Sequence, residues 1–327
     1  MKRFFTKSVY KNTWTIIKDT FNGFIDDKGL KLSASLSYYT VFSLAPMLLL
    51  LISLVGIFLG REAVQGHLFY EINGMLGNEA AAQVQEMVKN LELNGESTSA
   101  VLIGSITLLI GATTVFGDIQ DSINSIWRVK AKPKRGWLKL LKDRLLSSSL
   151  IAGLGFLLIV SLVVNGALKA MNEYLKAYFP DMTVFIFDAL NFVISFIVIS
   201  LLFGTIFKVL PDVNIKWKDV RAGSFFTACL FMLGRYLIGL YIETAGTAST
   251  YGAAGSLIII LVWVYYTAAI LYFGAVFTRV YADFVGLKIE PAQYAVYVET
   301  TEREMNKKVI PLGEKKNLEL TDEKPVP

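Results

Sequence analysis

The chain of 327 residues contains one cysteine and one histidine, and these scarcities exclude several classes of protein. A single cysteine, Cys229, excludes an intrachain disulfide and a cysteine metal cluster. The single histidine, His67, has no second ligand at helical spacing, so we expect no metal site and no cofactor. The sequence also has no G-x-x-x-x-G-K-S/T motif, which excludes a P-loop ATP site.

Charged residues are absent from long stretches of the chain. Residues 32–60 carry no charge, and about 20 apolar residues suffice for a helix to cross the ~30 Å hydrocarbon core of a bilayer. Helices buried in a soluble protein would be shorter and amphipathic. The sequence therefore predicts an all-α, polytopic membrane protein with six transmembrane helices. The other five predicted spans are residues 98–117, 146–168, 184–207, 222–242 and 256–279.

Basic residues are concentrated in alternate connecting segments. Seven precede residue 32 and eight lie in segment 118–144, whereas segment 61–97 holds only Arg61 and Lys89. By the positive-inside rule, we expect both termini on the cytoplasmic side of the bacterial inner membrane. The net charge of +5 follows from this asymmetry and suits anionic lipid headgroups, so we expect membrane lipids, not nucleic acid, as partners.

The segments outside the spans divide the chain into three parts. Residues 1–31 form a predicted cytoplasmic amphipathic segment, with a helix lying in the interface. Residues 32–285 form the membrane domain, and two amphipathic helices in 61–97, split near Gly77, form an outer helical cap. Residues 286–327 are polar and charged, so we expect a cytoplasmic, largely disordered tail. The apolar stripe of the first segment consists of Tyr10, Trp14, Ile17, Phe21 and Phe24.

Charge within a span is costly and marks function or an internal pair. Arg235 lies fourteen residues beyond Arg221, which places it ~20 Å from the cytoplasmic edge of a straight helix. Asp188 and Glu243 are its predicted counter-ions near the outer side. Two interpretations stay open, a substrate-facing cation and a structural role, either as a buried ion pair or as an arginine that extends outward to the interface.

Polar, aromatic and flexible positions complete the predicted substrate or translocation site. The substrate-facing candidates besides the charged residues are Tyr38, Ser43, Tyr241, Trp263 and Tyr266. Phenol and indole groups suit an amphipathic ligand, although helix packing and lipid contact use the same residue types. The predicted kink or hinge positions are Pro46, Gly252 and Gly255, because proline removes a helical hydrogen bond and glycine permits close turns.

Five segments carry a specific resemblance. They are SYYTVFSLAPMLLL (37–50), GDIQDSINSIWRVKAKPKRGW (117–137), KVLPDVNIKWKDVRAG (208–223), GRYLIGLYI (234–242) and STYGAAGSLIIILVWVYYTAAILYFGAVFTRVYA (249–282). In order and spacing they resemble the YihY/BrkB family of bacterial inner-membrane proteins. The resemblance implies a six-helix membrane protein, for which ribonuclease activity and lipid or solute transport have both been suggested. Val276 stands where many relatives have a glutamate, so no coupling role follows from that position.

The ribonuclease name finds no support in the residues. Asp118 and Asp121, with Asp143, have the chemistry to hold Mg²⁺ on the cytoplasmic face, but interfacial solvation and pairing with Arg128 and Lys130 explain them more simply. We therefore expect no catalytic residues and no enzyme. The predicted function is passive or secondary transport of an amphipathic or lipid-like substrate, with a non-transporting scaffold for envelope assembly or lipid organisation as the alternative. An oligomer is compatible with either.

Overall fold

The computed structural model describes residues 7–91, 98–132, 180–245, 254–287, 289–292 and 294–299, together with residues 153, 156 and 159. These residues are mostly helical. In chain order the helices are α1 (Lys7–Asp26), α2 (Gly29–Leu59), α3 (Arg61–Leu76), α4 (Asn78–Leu91), α5 (Thr98–Ile126), α6 (Pro180–Val209), α7 (Trp217–Ala245) and α8 (Gly255–Val285). The short strands are β1 (Val129–Ala131), β2 (Val213–Asn214), β3 (Glu290–Pro291) and β4 (Ala295–Tyr297).

Four helices in the described part of the chain are long and apolar enough to cross a membrane. They are α2, the Ala189–Val209 part of α6, the Trp217–Leu240 part of α7, and α8. The predicted span 98–117 begins α5, but the side chains of residues 98–109, 112 and 113 lie outside the described ones. The predicted span 146–168 also lies outside the described residues, apart from three positions. The structure thus confirms a helical protein with several apolar spans, and the predicted number of six stays a prediction.

Helix α8 is the centre of the bundle. It packs against α1, α2, α4, α5 and α7, while α6 packs against α7. The largest buried side chains of the main core include Tyr272 on α8, Ile123 on α5 and Phe207 on α6. Burial of these side chains in one cluster holds the described helices together.

Small residues allow α7 and α8 to approach closely. A Cβ atom on Gly223 would lie 1.8 Å from Oγ1 of Thr278, and one on Gly274 would lie 1.9 Å from Oγ1 of Thr227. Each threonine hydroxyl donates to a carbonyl of its own helix, Thr227 to Gly223 at 2.6 Å and Thr278 to Gly274 at 2.7 Å. These reciprocal glycine–threonine contacts are the small-residue packing typical of membrane helices.

The two helices predicted in segment 61–97 are present as α3 and α4. They are split at Gly77, whose φ of +83° is a conformation that favours glycine. Their apolar faces pack on α2 and α8 through buried residues that include Val64, Val84 and Val88. The α3–α4 pair therefore covers one end of the bundle core.

Helix α1 is present, and its apolar residues lie on two faces, one buried and one exposed. Ile16 and Phe24 are buried against the bundle, with the ring of Phe24 in edge contact with Phe273 of α8 at 5.5 Å between centroids. Trp14 and Phe21, by contrast, are exposed. Of the predicted stripe, Phe24 faces the bundle and Trp14 and Phe21 do not, while the buried Ile16 lies outside that stripe.

Two short antiparallel strand pairs depart from the predicted all-α fold. β1 pairs with β4, with Val129 opposite Tyr297, and β2 pairs with β3, with Val213 opposite Pro291. Strands β3 and β4, expected to belong to a largely disordered tail, are thereby tied to two interhelical connections. Backbone N–H and C=O groups that leave a helix need new partners, and pairing of these segments supplies them.

Candidate functional site

A groove of about 610 Å³ opens between α2, α3 and α4. Leu48 and Ile52 of α2 and Val84 and Val88 of α4 are buried residues that form its apolar floor. The volume lies within the range of about 300–1,000 Å³ that small-molecule sites occupy. The α3 helix contributes the remaining apolar wall, with Leu68, Phe69 and Ile72.

The rim of the groove is polar and carries both signs of charge. Gln65 lies on the α3 side, and Gln85, Glu86 and Lys89 lie on the α4 side. Glu86 and Lys89 are exposed, so their charges are solvated at the mouth. An apolar floor beneath a polar rim matches a ligand with a hydrocarbon part and a polar head.

A second polar feature, separate from the groove, is a junction around Asp212 near the C-terminal end of α5. The side chain is buried, at 2% exposure, in the connection between α6 and α7. Its carboxylate accepts hydrogen bonds from Gln120 Nε2 at 3.3 Å, Asn124 Nδ2 at 3.0 Å and the Tyr294 hydroxyl at 3.1 Å. Its backbone N–H donates to Asn124 Oδ1 at 2.8 Å, and its carbonyl accepts from the Ala292 N–H at 2.9 Å. The Asp212 junction thus joins α5, the α6–α7 connection and the C-terminal strands.

The C-terminal end of α5 is held by Arg279 of α8. One guanidinium nitrogen donates to the carbonyl of Ile126, and another lies 2.9 Å from Asp27 at the end of α1. Arg128, two residues after Ile126, has a left-handed φ of +57°, which does not continue the helix. Trp127 donates its indole N–H to the Ala275 carbonyl at 3.0 Å. A cation at a helix C-terminus is favourable, because unpaired carbonyls carry partial negative charge there.

The structure brings three predicted site residues to the α7–α8 contact. Arg235 is half-buried on α7, and no described side chain forms an ion pair with it. The hydroxyl of Tyr266 lies where a side chain on Gly234 would be, 1.6 Å from the position of its Cβ. Trp263 makes an edge contact with Phe231 at 5.9 Å. Trp263 and Tyr266 therefore flank the turn of α7 that carries Arg235.

The candidates on α2 lie apart from that group. Tyr38 is 58% exposed, and its ring contacts are to Tyr39 and Phe42 of its own helix. Ser43 is buried. α2 continues through Pro46, whose ring would lie 3.3 Å from a Cβ on Gly111 of α5. Pro46 therefore packs against a glycine of the neighbouring helix.

The remaining predicted site residues are described in part or not at all. Gly255 is the buried first residue of α8. The backbones of Asp188, Tyr241 and Glu243 lie in α6 and α7, but their side chains lie outside the described ones. Gly252 lies outside the described residues altogether. The predicted pairing of Arg235 with either acid stays a prediction.

Sequence reasoning missed the Asp212 junction. The available signal was the pair Gln120 and Asn124, polar residues one turn apart on the apolar face of Ile119, Ile123 and Ile126. Polar groups on a buried face need partners. Their partner, Asp212, directly follows Pro211 in the segment KVLPDVNIKWKDVRAG. Nothing in the local sequence pattern indicates that these two segments, 88 residues apart, come together.

These features define a class of protein: a helical membrane protein with several apolar spans, an apolar groove with a polar rim, and a buried polar junction. The family model described as Virulence factor BrkB matches residues 20–294, so the chain belongs to that family. The resemblance to the YihY/BrkB family is thereby confirmed. No solved structure matches the chain.

Several relatives share most of the chain. It is 28% identical over 275 residues to a UPF0761 membrane protein of Verminephrobacter eiseniae, covering 82% of this chain and 62% of the relative. It is 25% identical to one of Psychrobacter, covering 86% and 51%, and 27% identical to one of Pseudomonas aeruginosa, covering 77% and 59%. The chain thus spans less than two-thirds of the length of each of these relatives. Each of these relatives is described as a membrane protein.

Proposed function

We propose that the protein is a passive or secondary transporter of an amphipathic, lipid-like substrate, and that the groove between α2, α3 and α4 is where the substrate binds. The observation that carries the proposal is the division of the groove into an apolar floor and a rim of Gln65, Gln85, Glu86 and Lys89. Each buried methylene of an acyl chain contributes about 0.8 kcal/mol, so a floor of this kind retains a hydrocarbon tail.

The placement of the groove supports a substrate taken from the membrane. Its floor belongs partly to α2, which is long and apolar enough to span a bilayer. A lipid-like molecule can therefore keep its tail in contact with apolar side chains while its head meets the polar rim. The excess of basic residues in the opposite segments supports an inner membrane location with the groove on the outer side and both termini in the cytoplasm.

The proposal is tested by a substitution that places a bulky side chain in the groove. Ala82 lines it from α4 and is exposed, so Ala82→Trp places an indole in the groove without enlarging a core residue. We expect the flux of a fluorescent phospholipid across proteoliposomes, and the phospholipid retained in native mass spectrometry, to fall roughly tenfold, the factor that a loss of about 1.4 kcal/mol produces.

The matched control is Ala63→Trp, an exposed alanine on α3 that does not line the groove, and it should leave both measurements unchanged. If Ala82→Trp and the unmodified protein gave equal flux, the assignment of the groove as the substrate site would be wrong. Phospholipid retained in the groove without any flux would instead identify a lipid-organising scaffold. We propose no enzymatic activity.

A further inference from the structure

Helix α1 has three chemically different faces, and the first of them packs on the bundle. Ile16, Thr20 and Phe24 are buried on this face, which is directed at α8. Just after the helix, the carboxylate of Asp27 lies 2.9 Å from the guanidinium of Arg279 on α8. These contacts fix one side of α1 to the bundle.

The second face of α1 is apolar and exposed. Trp14, Phe21 and Ile25 each have more than half of their surface exposed, and we call them the outer stripe. At 3.6 residues per turn, these three residues lie within about 40° of one another and about 120° from the centre of the bundle-facing set. The exposed Lys18 borders the same stripe. The outer stripe therefore combines large apolar side chains with a positive charge.

The third face of α1 is polar and acidic. It consists of Asp19, Asn22 and Asp26, which are all exposed and lie about 120° from both other faces. The carboxylates are thus kept away from the outer stripe, whereas the ammonium group of Lys18 lies beside it. This division of charge makes the outer stripe complementary to a surface that is apolar inside and negatively charged outside, as a bilayer with anionic headgroups is.

The position of α1 in the chain brings it to the surface of a bilayer. α1 ends at Asp26, and α2, which is long and apolar enough to span a membrane, begins at Gly29. Three Cα–Cα steps of 3.8 Å separate these residues, so they are at most about 11 Å apart. α1 therefore lies next to the point where α2 enters the bilayer.

We propose that the outer stripe lies in the headgroup region of the bilayer and, together with Lys18, binds anionic phospholipid. An amphipathic helix in this position buries its apolar face about 5–10 Å into the boundary between headgroups and acyl chains. Indole groups favour that boundary, and lysine is attracted to anionic headgroups. The structure also corrects the predicted stripe, because Phe24 holds α1 to the bundle and Ile25 belongs to the lipid-facing set. This surface is separate from the groove, so it does not depend on what the groove binds.

The first experiment measures how deeply each exposed face of α1 lies in a bilayer. A nitroxide is attached at Phe21→Cys, Ile25→Cys or Asn22→Cys in the full chain with Cys229→Ala, reconstituted in vesicles of phosphatidylcholine and phosphatidylglycerol. Electron paramagnetic resonance compares collisions with oxygen, which is concentrated in the bilayer, and with a water-soluble nickel complex.

We expect the ratio of oxygen to nickel collisions to be severalfold higher at Phe21→Cys and Ile25→Cys than at Asn22→Cys, the matched control on the acidic face. If the three positions gave the same ratio, the outer stripe would lie in water, as a protein-binding surface does, and the proposal would be wrong.

The second experiment tests the charge of the lipid. A bimane at Ile25→Cys is reconstituted, again with Cys229→Ala, in equal mixtures of phosphatidylcholine and phosphatidylglycerol, with one lipid or the other carrying quenching bromine atoms. We expect brominated phosphatidylglycerol to quench more strongly, and Lys18→Gln to lower this preference roughly fivefold.

A matched control places the bimane at Ile57→Cys, an exposed position about 40 Å along α2 from Gly29. The ratio of quenching by the two lipids at Ile57→Cys should be the same with and without Lys18→Gln. Equal quenching by the two brominated lipids at Ile25→Cys, or a preference that survives Lys18→Gln unchanged, would overturn the binding of anionic phospholipid.

Discussion

Asn124 and Asp212 exchange two hydrogen bonds across 88 residues of sequence. The Asn124 side-chain amide donates to the Asp212 carboxylate at 3.0 Å, and the Asp212 backbone N–H donates back to the Asn124 Oδ1 at 2.8 Å. Both residues are buried, and Gln120 and Tyr294 also donate to the carboxylate. The exchange connects α5 to the turn between α6 and α7.

The first prediction concerns this exchange. Asn124→Ala removes one of the hydrogen bonds to the buried Asp212 carboxylate and the acceptor of the Asp212 backbone N–H, so it should lower the free energy of unfolding by about 2–4 kcal/mol. In a double-mutant cycle with Asp212→Ala, the coupling energy should lie at about 0.5–3 kcal/mol. Asn214→Ala, at an exposed asparagine of β2, should change stability by no more than about 0.5 kcal/mol. Additive effects of Asn124→Ala and Asp212→Ala in denaturant unfolding would contradict the exchange.

The second prediction concerns the contact between α7 and α8. Gly274→Ala should lower the thermal midpoint, because the new methyl group would lie 1.9 Å from Oγ1 of Thr227. Adding Thr227→Ala removes the clashing atom and should restore part of the loss. Gly239→Ala is the control, since its Cβ meets nothing within 4 Å, and alanine is about 1 kcal/mol better than glycine in a helix. Equal effects of the two glycine substitutions would show that the helices are not in close contact.

The third prediction separates two arginines. Arg279 contacts Asp27 and the Ile126 carbonyl, so Arg279→Met should destabilise the fold by roughly 2 kcal/mol or more. Arg235 is the predicted substrate-facing cation of α7, so we expect Arg235→Met to remove phospholipid flux while the thermal midpoint stays within a few degrees. Arg235→Lys should retain part of the flux, because it keeps the charge and loses the planar fork. Normal flux in Arg235→Met, or loss of flux only with unfolding, would make Arg235 structural.

The fourth prediction concerns orientation. In a Cys229→Ala background, a cysteine at Gly66 of α3 should react with a membrane-impermeant maleimide in intact spheroplasts, whereas one at Lys216 should react only after permeabilisation. Both positions are exposed in the structure, so access to the reagent depends on the side of the membrane. The basis is the excess of basic residues in the segments near Lys216. If only Lys216→Cys were labelled in intact spheroplasts, the protein would have the opposite orientation to the one predicted.

The sequence was informative wherever a property is local. Hydrophobic runs predicted α2, α6, α7 and α8, because the length and polarity of one segment decide whether it can cross a bilayer. The turn at Gly77 was equally local. The two strand pairs were missed, since β1 and β4 are short and each gains its partner only when the C-terminal segment returns to the interhelical connections.

What the sequence by itself determined is therefore the class of protein, its apolar helices and its family. The tertiary structure alone decided which polar residues meet. Asp212 forms hydrogen bonds with Asn124, and the groove forms between one apolar helix, α2, and two helices that the sequence shows only as amphipathic, α3 and α4. The physical reason is range: hydrophobicity acts on each segment independently, whereas hydrogen bonds and cavities require atoms from distant segments to lie within a few ångströms of one another.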